Sequence, residues 1–372
     1  MQKPWRSNNR FQVFPGSDCY VPELLSSIDS ATDLIILEQY LVESGRFADR
    51  FIDALRNAAN RGVKVFLLFD SYGSQGLEAM DRQRLDYPGI ALAYFNPVSL
   101  PRLCRSITRD HRKLLLVDRK VAFTGGFCLT DEFLNCWYDL AIRIEGPVVE
   151  DWFDSFYRLW SSRLVCGARE WPLPLVLRNR SEVEHKTGKS EGRMTRTQGR
   201  RRPIRHSLQS HIEEARKRVW MYTPYFLPTR NLLRQLQASA RRGVDVRIIV
   251  AGNNHDHPAV QYAGRSYYGR LLRAGVRVYE YQASFTHAKF CLADDWCTVG
   301  SCNFDHWSFR WNLEANQEVK DGAFAEDIAE LYRSHLFECK SISLDTRSRQ
   351  SVGQRLRQRV LGALSAAVKF LY

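Results

Sequence analysis

Two stretches of the chain share one alternation of apolar and polar positions. The apolar runs DLIILEQYLV (33–42) and VKVFLLFD (63–70) have strand length, and they flank RFADRFIDALRNAANRG (46–62), whose apolar residues recur at helical spacing. RVWMYTPYFLP (218–228) and VDVRIIVAG (244–252) flank TRNLLRQLQASARRG (229–243) in the same order. Each trio predicts a strand, a helix and a second, parallel strand. Gly62 and Gly243 fall where each helix should end, at the position that commonly needs a positive φ. Apolar runs buried on both faces and alternating with helices predict an α/β fold, with mostly parallel sheets covered by helices on each side.

The spacing between the copies is nearly constant. Gly243 minus Gly62 is 181, His287 minus His111 is 176 and Gly300 minus Gly125 is 175, which predicts two tandem copies of one domain. Residues 1–166 and 205–340 are the two domains. Between them, 167–204 contains RNRSEVEHKTGKSEGRMTRTQGRRRPI (178–204), polar and basic without periodicity, and is expected to be a flexible linker. Residues 341–372 end in VGQRLRQRVLGALSAAVKFLY, which sets Val352, Leu356, Val360, Leu364, Val368 and Leu371 on one helical stripe beside Arg355, Arg357 and Arg359. Such a basic amphipathic helix either lies in a bilayer interface or packs on the protein's own core.

The chemistry repeats with the fold. DHRKLLLVDRKVAFTGG (110–126) and THAKFCLADDWCTVGS (286–301) each carry His, one residue, Lys, four residues, Asp: His111, Lys113 and Asp118, then His287, Lys289 and Asp294. On a strand, side chains two apart share a face, so each His and Lys can meet one ligand. Two such faces joined across a pseudo-twofold axis give two imidazoles and two ammonium groups, a clamp for the anionic oxygens of a phosphodiester that needs no metal and no cofactor. One neutral imidazole can attack phosphorus while the other, protonated, donates to the leaving oxygen. Asp139 and Glu314 follow the two histidines by 28 and 27 residues, and each is expected to orient its own copy's ring. Asp118 and Asp294 belong to the catalytic motif but fall at turns, where a structural role is expected. Gly125 and Gly126, with Ser301 and Asn303 in the second copy, are expected to face the phosphate.

Composition narrows the partners. A formal net charge of +13 over 372 residues attracts phosphate on nucleic acid or on an anionic membrane surface. Nucleic acid is not expected, because no aromatic platform with interleaved basic residues accompanies the motif. Nine cysteines without CxxC or Cys/His spacing point to a reducing compartment. No run of about 18 apolar residues occurs, so no membrane span is expected, and the first residues lack the apolar core of a signal peptide. His255 and His257 in NNHDHP lack further ligands for a metal and are expected on a polar loop near the pocket mouth. The aromatics of CWYDL and DWFDSFYRLW are either a lipid-facing rim or, at helical spacing, core.

The doubled motif, with GSCNFDHWSFRWNLEAN (300–316), NNRFQVFPGSDCYVPELLSSI and YDLAIRIEGPVVED, resembles the phospholipase D superfamily over nearly the whole chain. It looks closest to bacterial cardiolipin synthases of the short type that lacks N-terminal transmembrane helices. The resemblance implies two αβα sandwich domains packed about a pseudo-twofold axis with one shared active site. It implies transfer of a phosphatidyl group to the hydroxyl of phosphatidylglycerol through a phosphohistidine, with His111 as nucleophile and His287 as acid. The internal symmetry itself does not choose between them. It also implies a peripheral enzyme on the cytoplasmic side of a bacterial membrane, with anionic phospholipid as its partner and no obligate protein partner. A phospholipase D-type hydrolase is the alternative, and a nuclease a more distant one. Cys128 stands where the second copy has Asn303, and the turn after Asp294 is one residue shorter.

Overall fold

The computed structural model describes residues 3–97, 108–167, 188–197, 202–252 and 256–345. The first half runs β1 (Arg6–Pro15), α1 (Ser17–Asp29), β2 (Leu34–Gln39), α2 (Arg46–Asn60), β3 (Lys64–Asp70), α3 (Ala79–Leu85), β4 (Ile90–Phe95), β5 (Leu114–Val117), β6 (Val121–Gly125), α4 (Glu132–Asn135), β7 (Trp137–Tyr138), β8 (Leu140–Glu145), α5 (Val149–Trp160) and β9 (Val165–Gly167). The second runs β10 (Ser190–Arg196), α6 (Pro203–Glu214), β11 (Arg218–Thr223), α7 (Arg230–Arg241), β12 (Asp245–Ala251), α8 (Pro258–Arg273), β13 (Arg277–Tyr281), β14 (Phe285–Thr286), β15 (Phe290–Ala293), β16 (Trp296–Gly300), β17 (Ala315–Lys320), α9 (Gly322–Leu336) and β18 (Cys339–Ile342).

Among the described residues, sixteen strands form one mixed sheet in the order β18-β13-β12-β11-β15-β16-β17-β10-β1-β8-β6-β5-β2-β3-β4-β9. Read from the middle outward, the two directions are the same list. β1 answers to β10, β8 to β17, β5 to β15, β2 to β11 and β9 to β18. The predicted βαβ units are β2-α2-β3 and β11-α7-β12, both with parallel pairing. Their helices end as expected, with Gly62 at φ 90° and Gly243 at φ 91°.

The β10 strand corrects the linker expectation. Part of 167–204 is this strand, which pairs antiparallel with β17 along Glu191–Arg196 and with β1 at Ser190 and Gly192. It joins the two half-sheets, because β1 is itself long enough to pair with β8 through Arg10–Pro15 and with β10 through Arg6 and Asn9. The rest of the expected linker, 168–187 and 198–201, and the amphipathic tail from 346 onward lie outside the described residues.

Three apolar clusters give the layers. One packs α1 and α2 on the outer face of the first half-sheet, and another packs α6, α7 and α8 on the second. The third is shared: Trp152, Phe156 and Trp160 of α5 and Phe324, Ile328 and Tyr332 of α9 meet Ile36, Phe66, Tyr222 and Phe290 from both half-sheets. The aromatics of DWFDSFYRLW are therefore mostly core. Fully burying one such side chain contributes roughly 2–3 kcal/mol, so the shared layer binds the halves into one unit.

Candidate active site

Both motif histidines and their lysines sit just before β5 and β15, at the end of the sheet where the parallel strands β2 and β11 finish. Each is held there by the opposite half. The His111 N–H donates to the Leu313 carbonyl at 2.9 Å, and the His287 N–H to the Tyr138 carbonyl at 2.7 Å. The second contact belongs to a short parallel pairing of β7 with β14, and the first to a matching bridge between Asp110 and Leu313.

This crossing brings the carboxylates to the wrong histidines from the viewpoint of the repeat. His111 Nδ1 lies 3.0 Å from Glu314 Oε2, and His287 Nδ1 lies 2.8 Å from Asp139 Oδ2. Each carboxylate serves the other copy's ring, not its own as the spacing suggested. An ionised carboxylate only accepts hydrogen bonds, so it fixes the proton on Nδ1 and leaves the Nε2 lone pair on the far side of the ring.

The lysines are fully buried and close the backbone beneath the histidines. Lys113 Nζ donates to the His111 carbonyl at 2.7 Å, and Lys289 Nζ donates to that of His287. The four groups feel one another. Burial lowers His111, with Glu314 opposing and both lysines assisting. Burial, Lys289, Lys113 and His111 together push His287 well below the ordinary imidazole value. Burial pushes Asp139 up to about 6, against the pull of Lys289. Burial also brings Lys289 down to about 8, with Asp139 opposing and Lys113 assisting. The arrangement is thus two neutral imidazoles with defined tautomers beside two buried ammonium groups, which attract and neutralise a phosphodiester.

Several expected site residues have other tasks. Asp118 and Asp294 stand at the far ends of β5 and β15, at φ 51° and 52°, and neither touches the histidines. Asp118 accepts from the backbone N–H groups of Thr32, Asp33 and Leu34 and from the Thr32 hydroxyl; Asp294 accepts from those of Arg216, Lys217 and Arg218. They pin the starts of β2 and β11. The Ser301 hydroxyl, expected to face the phosphate, donates to Glu314 Oε2 at 2.6 Å. Gly126 is needed for a related reason: a Cβ there would run into the Asp139 carboxylate, to which its own N–H donates. Gly125 lets β6 pass close to the Leu140 carbonyl of β8. Asn303 is buried with its Oδ1 lacking a hydrogen-bond partner among the described residues, while the Cys128 thiol occupies the matching place, 3.9 Å from the Gly126 carbonyl.

A family profile described as "Cardiolipin synthase, PLD-like domain" matches residues 24–160 and 208–336, one copy in each half. The chain belongs to that family. It is 32% identical over 342 residues to cardiolipin synthase B of Escherichia coli K12, covering 88% of this chain and 80% of that one. It is 30% identical over 379 residues to a cardiolipin synthase of Clostridium perfringens SM101, covering 97% and 77%. Among solved structures, phosphatidylserine synthase from Haemophilus influenzae Rd KW20 superposes with a TM-score of 0.75, covering 98% of this chain and 95% of that chain at 15% identity, which shows a common fold.

Around the family's paired histidines stand residues that the motif does not include. The Tyr40 ring meets that of His111 edge-on at 4.9 Å and lies 5.3 Å from Lys113 Nζ. Phe133 and Trp137 pack at 5.2 and 5.6 Å from His287. Arg112, between His111 and Lys113, is buried with Glu38, Asp110 and the Ser155 hydroxyl as partners. Ala288 takes its place in the second half. Tyr40 was the one with a usable signal, since it follows the β2 apolar run at the carboxyl end of a parallel strand, where α/β sheets bind ligands. No group of three potential metal ligands occurs among the described residues; His255 lies outside them, and His257 is a surface residue with Asp256 Oδ2 at 3.7 Å.

Proposed function

We propose that this chain is a phosphatidyltransferase that moves a phosphatidyl group from one phospholipid to the hydroxyl of phosphatidylglycerol, forming cardiolipin. The observation that carries the reading is the pair of buried histidines, each oriented by a carboxylate of the other half, beside two buried lysines. In the first step His111 Nε2 attacks phosphorus, the P–O bond to the leaving alcohol breaks, and His287 gives that oxygen a proton. The resulting phosphohistidine carries its positive ring charge next to Glu314. In the second step the acceptor hydroxyl gives its proton to His287, its oxygen attacks phosphorus, and the P–N bond breaks. His287 begins with a strongly depressed proton affinity because of burial and the lysines. An anionic diester offsets the lysine charges, so donor binding itself makes the ring able to carry its proton.

Asp139 and Glu314 are positioning residues in this scheme. The lysines neutralise the diester, and Asn303 takes one of its oxygens. The substrates imply work at a bilayer surface, and no described helix is long and apolar enough to cross one. Tyr72, Met80, Leu164, Trp307 and Phe337 are large apolar side chains left exposed, Met80 by 67% and Phe337 by 93%. By strand direction all five fall at the end of the sheets where the histidines meet, whereas the exposed Leu344 falls at the other. That distribution supports peripheral docking with the site facing lipid. The cytoplasmic leaflet of a bacterial membrane, rich in anionic lipid, is the surface proposed.

The test is to incubate the purified protein with phosphatidylglycerol in mixed micelles, with and without phosphatidylethanolamine, and to identify products by mass spectrometry. Cardiolipin with released glycerol is expected, and cardiolipin formed only with phosphatidylethanolamine would change the donor. Phosphatidic acid alone would replace this reading with the hydrolase. In quenched turnover the phosphatidyl group should sit on a peptide containing His111; finding it on His287 would exchange the two roles.

A further inference from the structure

The two halves of the pocket differ two residues before each histidine. Arg109 stands there in the first half, buried, 3.4 Å from Asp70 Oδ1 and donating to the Asn96 carbonyl at 3.2 Å. Phe285 stands there in the second, its ring centre 4.8 Å from that of Trp137, 6.2 Å from that of His287 and 6.3 Å from that of Tyr225. Beyond Phe285 the Tyr225 hydroxyl donates to the Asp256 carboxylate. Asp256 is an exposed residue, and its negative charge reaches His287. Asp305 and Tyr40 of the other half also lie within electrostatic range of the Tyr225 hydroxyl.

At this position the first half therefore has a guanidinium paired with Asp70, and the second has an aromatic ring that leads on to a phenol and a carboxylate. These suit different ligands. A phospholipid donor brings a negative diester, which a cation attracts. A polyol acceptor brings neutral hydroxyls, which donate hydrogen bonds to a carboxylate.

We propose that Asp256, held by Tyr225, is the acceptor subsite: it accepts a hydrogen bond from the polyol hydroxyl adjacent to the attacking one and so presents the attacking oxygen beside His287. This rests on the transferase reading. The chemistry needs nothing further, since the attacking hydroxyl gives its proton to His287 as its oxygen bonds to phosphorus and the bond to His111 breaks. The preference that follows is for an acceptor with vicinal hydroxyls over a simple alcohol.

The experiment uses the full chain with a short-chain, monomeric phosphatidylglycerol as donor and compares deuterated glycerol, 1-propanol and water as acceptors, the label separating transfer to glycerol from unreacted donor. The wild-type protein should favour glycerol over 1-propanol at least tenfold at equal concentration. In Asp256→Ala, transfer to glycerol should fall at least tenfold more than transfer to 1-propanol or water, with a raised KM for glycerol; Tyr225→Phe should shift the same ratio less, and Asp256→Asn, which keeps an acceptor oxygen, should restore part of it. A glycerol-to-propanol ratio unchanged in Asp256→Ala would overturn the subsite alone, as would an equal loss with all three acceptors. A wild-type protein that yields only phosphatidic acid would overturn the transferase reading and the subsite with it.

Discussion

Lys289 lies fully buried near Lys113, and that environment brings it down to about 8. Its cationic form exists below that value, so kcat/KM should decline as pH rises through about 8. Arginine keeps its charge throughout this range, and Lys289→Arg, even with reduced turnover, should lose the alkaline limb; a limb that persists would show that another group titrates there. On the acid side Asp139, pushed up to about 6, takes a proton and no longer holds the His287 tautomer, so activity should also decline below that value. Asp118 makes the opposite kind of prediction. Burial would raise its carboxyl, but the hydrogen bonds from Thr32, Asp33 and Leu34 outweigh it and hold it low. Its contribution is present above the unfolded value of about 3.9 and is lost as pH falls through the lower folded one. Asp118→Ala should lower stability by about 1–3 kcal/mol in urea titration while kcat stays as it was at temperatures where the protein is folded. A large drop in kcat would return Asp118 to the catalytic set. The histidines and lysines were legible because a two-residue spacing is local, although both pairs lie just before β5 and β15 and not on the strands themselves. The identity of each histidine's carboxylate was not, because the partners are 203 and 148 residues apart and the pairing is set by how the halves meet.

At the scale of elements, the βαβ units were readable from strongly apolar strands, and β10 was not. Its buried positions are Gly192, Met194 and Thr195, which gives one large apolar side chain in seven residues and no alternation to detect. The repeat did carry the signal: Arg196 minus Pro15 is 181, the same offset that relates Gly243 to Gly62. A strand was due there by symmetry whatever its composition. Met194 is buried in the core shared by both halves. Met194→Ala should therefore cost about 2–4 kcal/mol, and the loss should appear as one shifted unfolding transition. Two separate transitions, one per half, would show that the shared layer does not couple them.

For the whole molecule, the apolar side chains at the site end predict how the protein meets lipid. Replacing Met80, Trp307 and Phe337 together with serine should weaken binding to phosphatidylglycerol vesicles at least tenfold in sedimentation, while turnover of a monomeric short-chain phospholipid is kept. Unchanged binding would assign docking to another surface, including the basic C-terminal segment. The exchange of carboxylates between the halves reaches further than catalysis. Neither copy of the repeat encodes a complete histidine apparatus, since each spells the ring in its own sequence and finds the group that orients it in its sibling's. An ancestor with a single copy could have worked only in pairs, and after duplication the two copies could diverge only in step, each constrained by what the other needed to borrow.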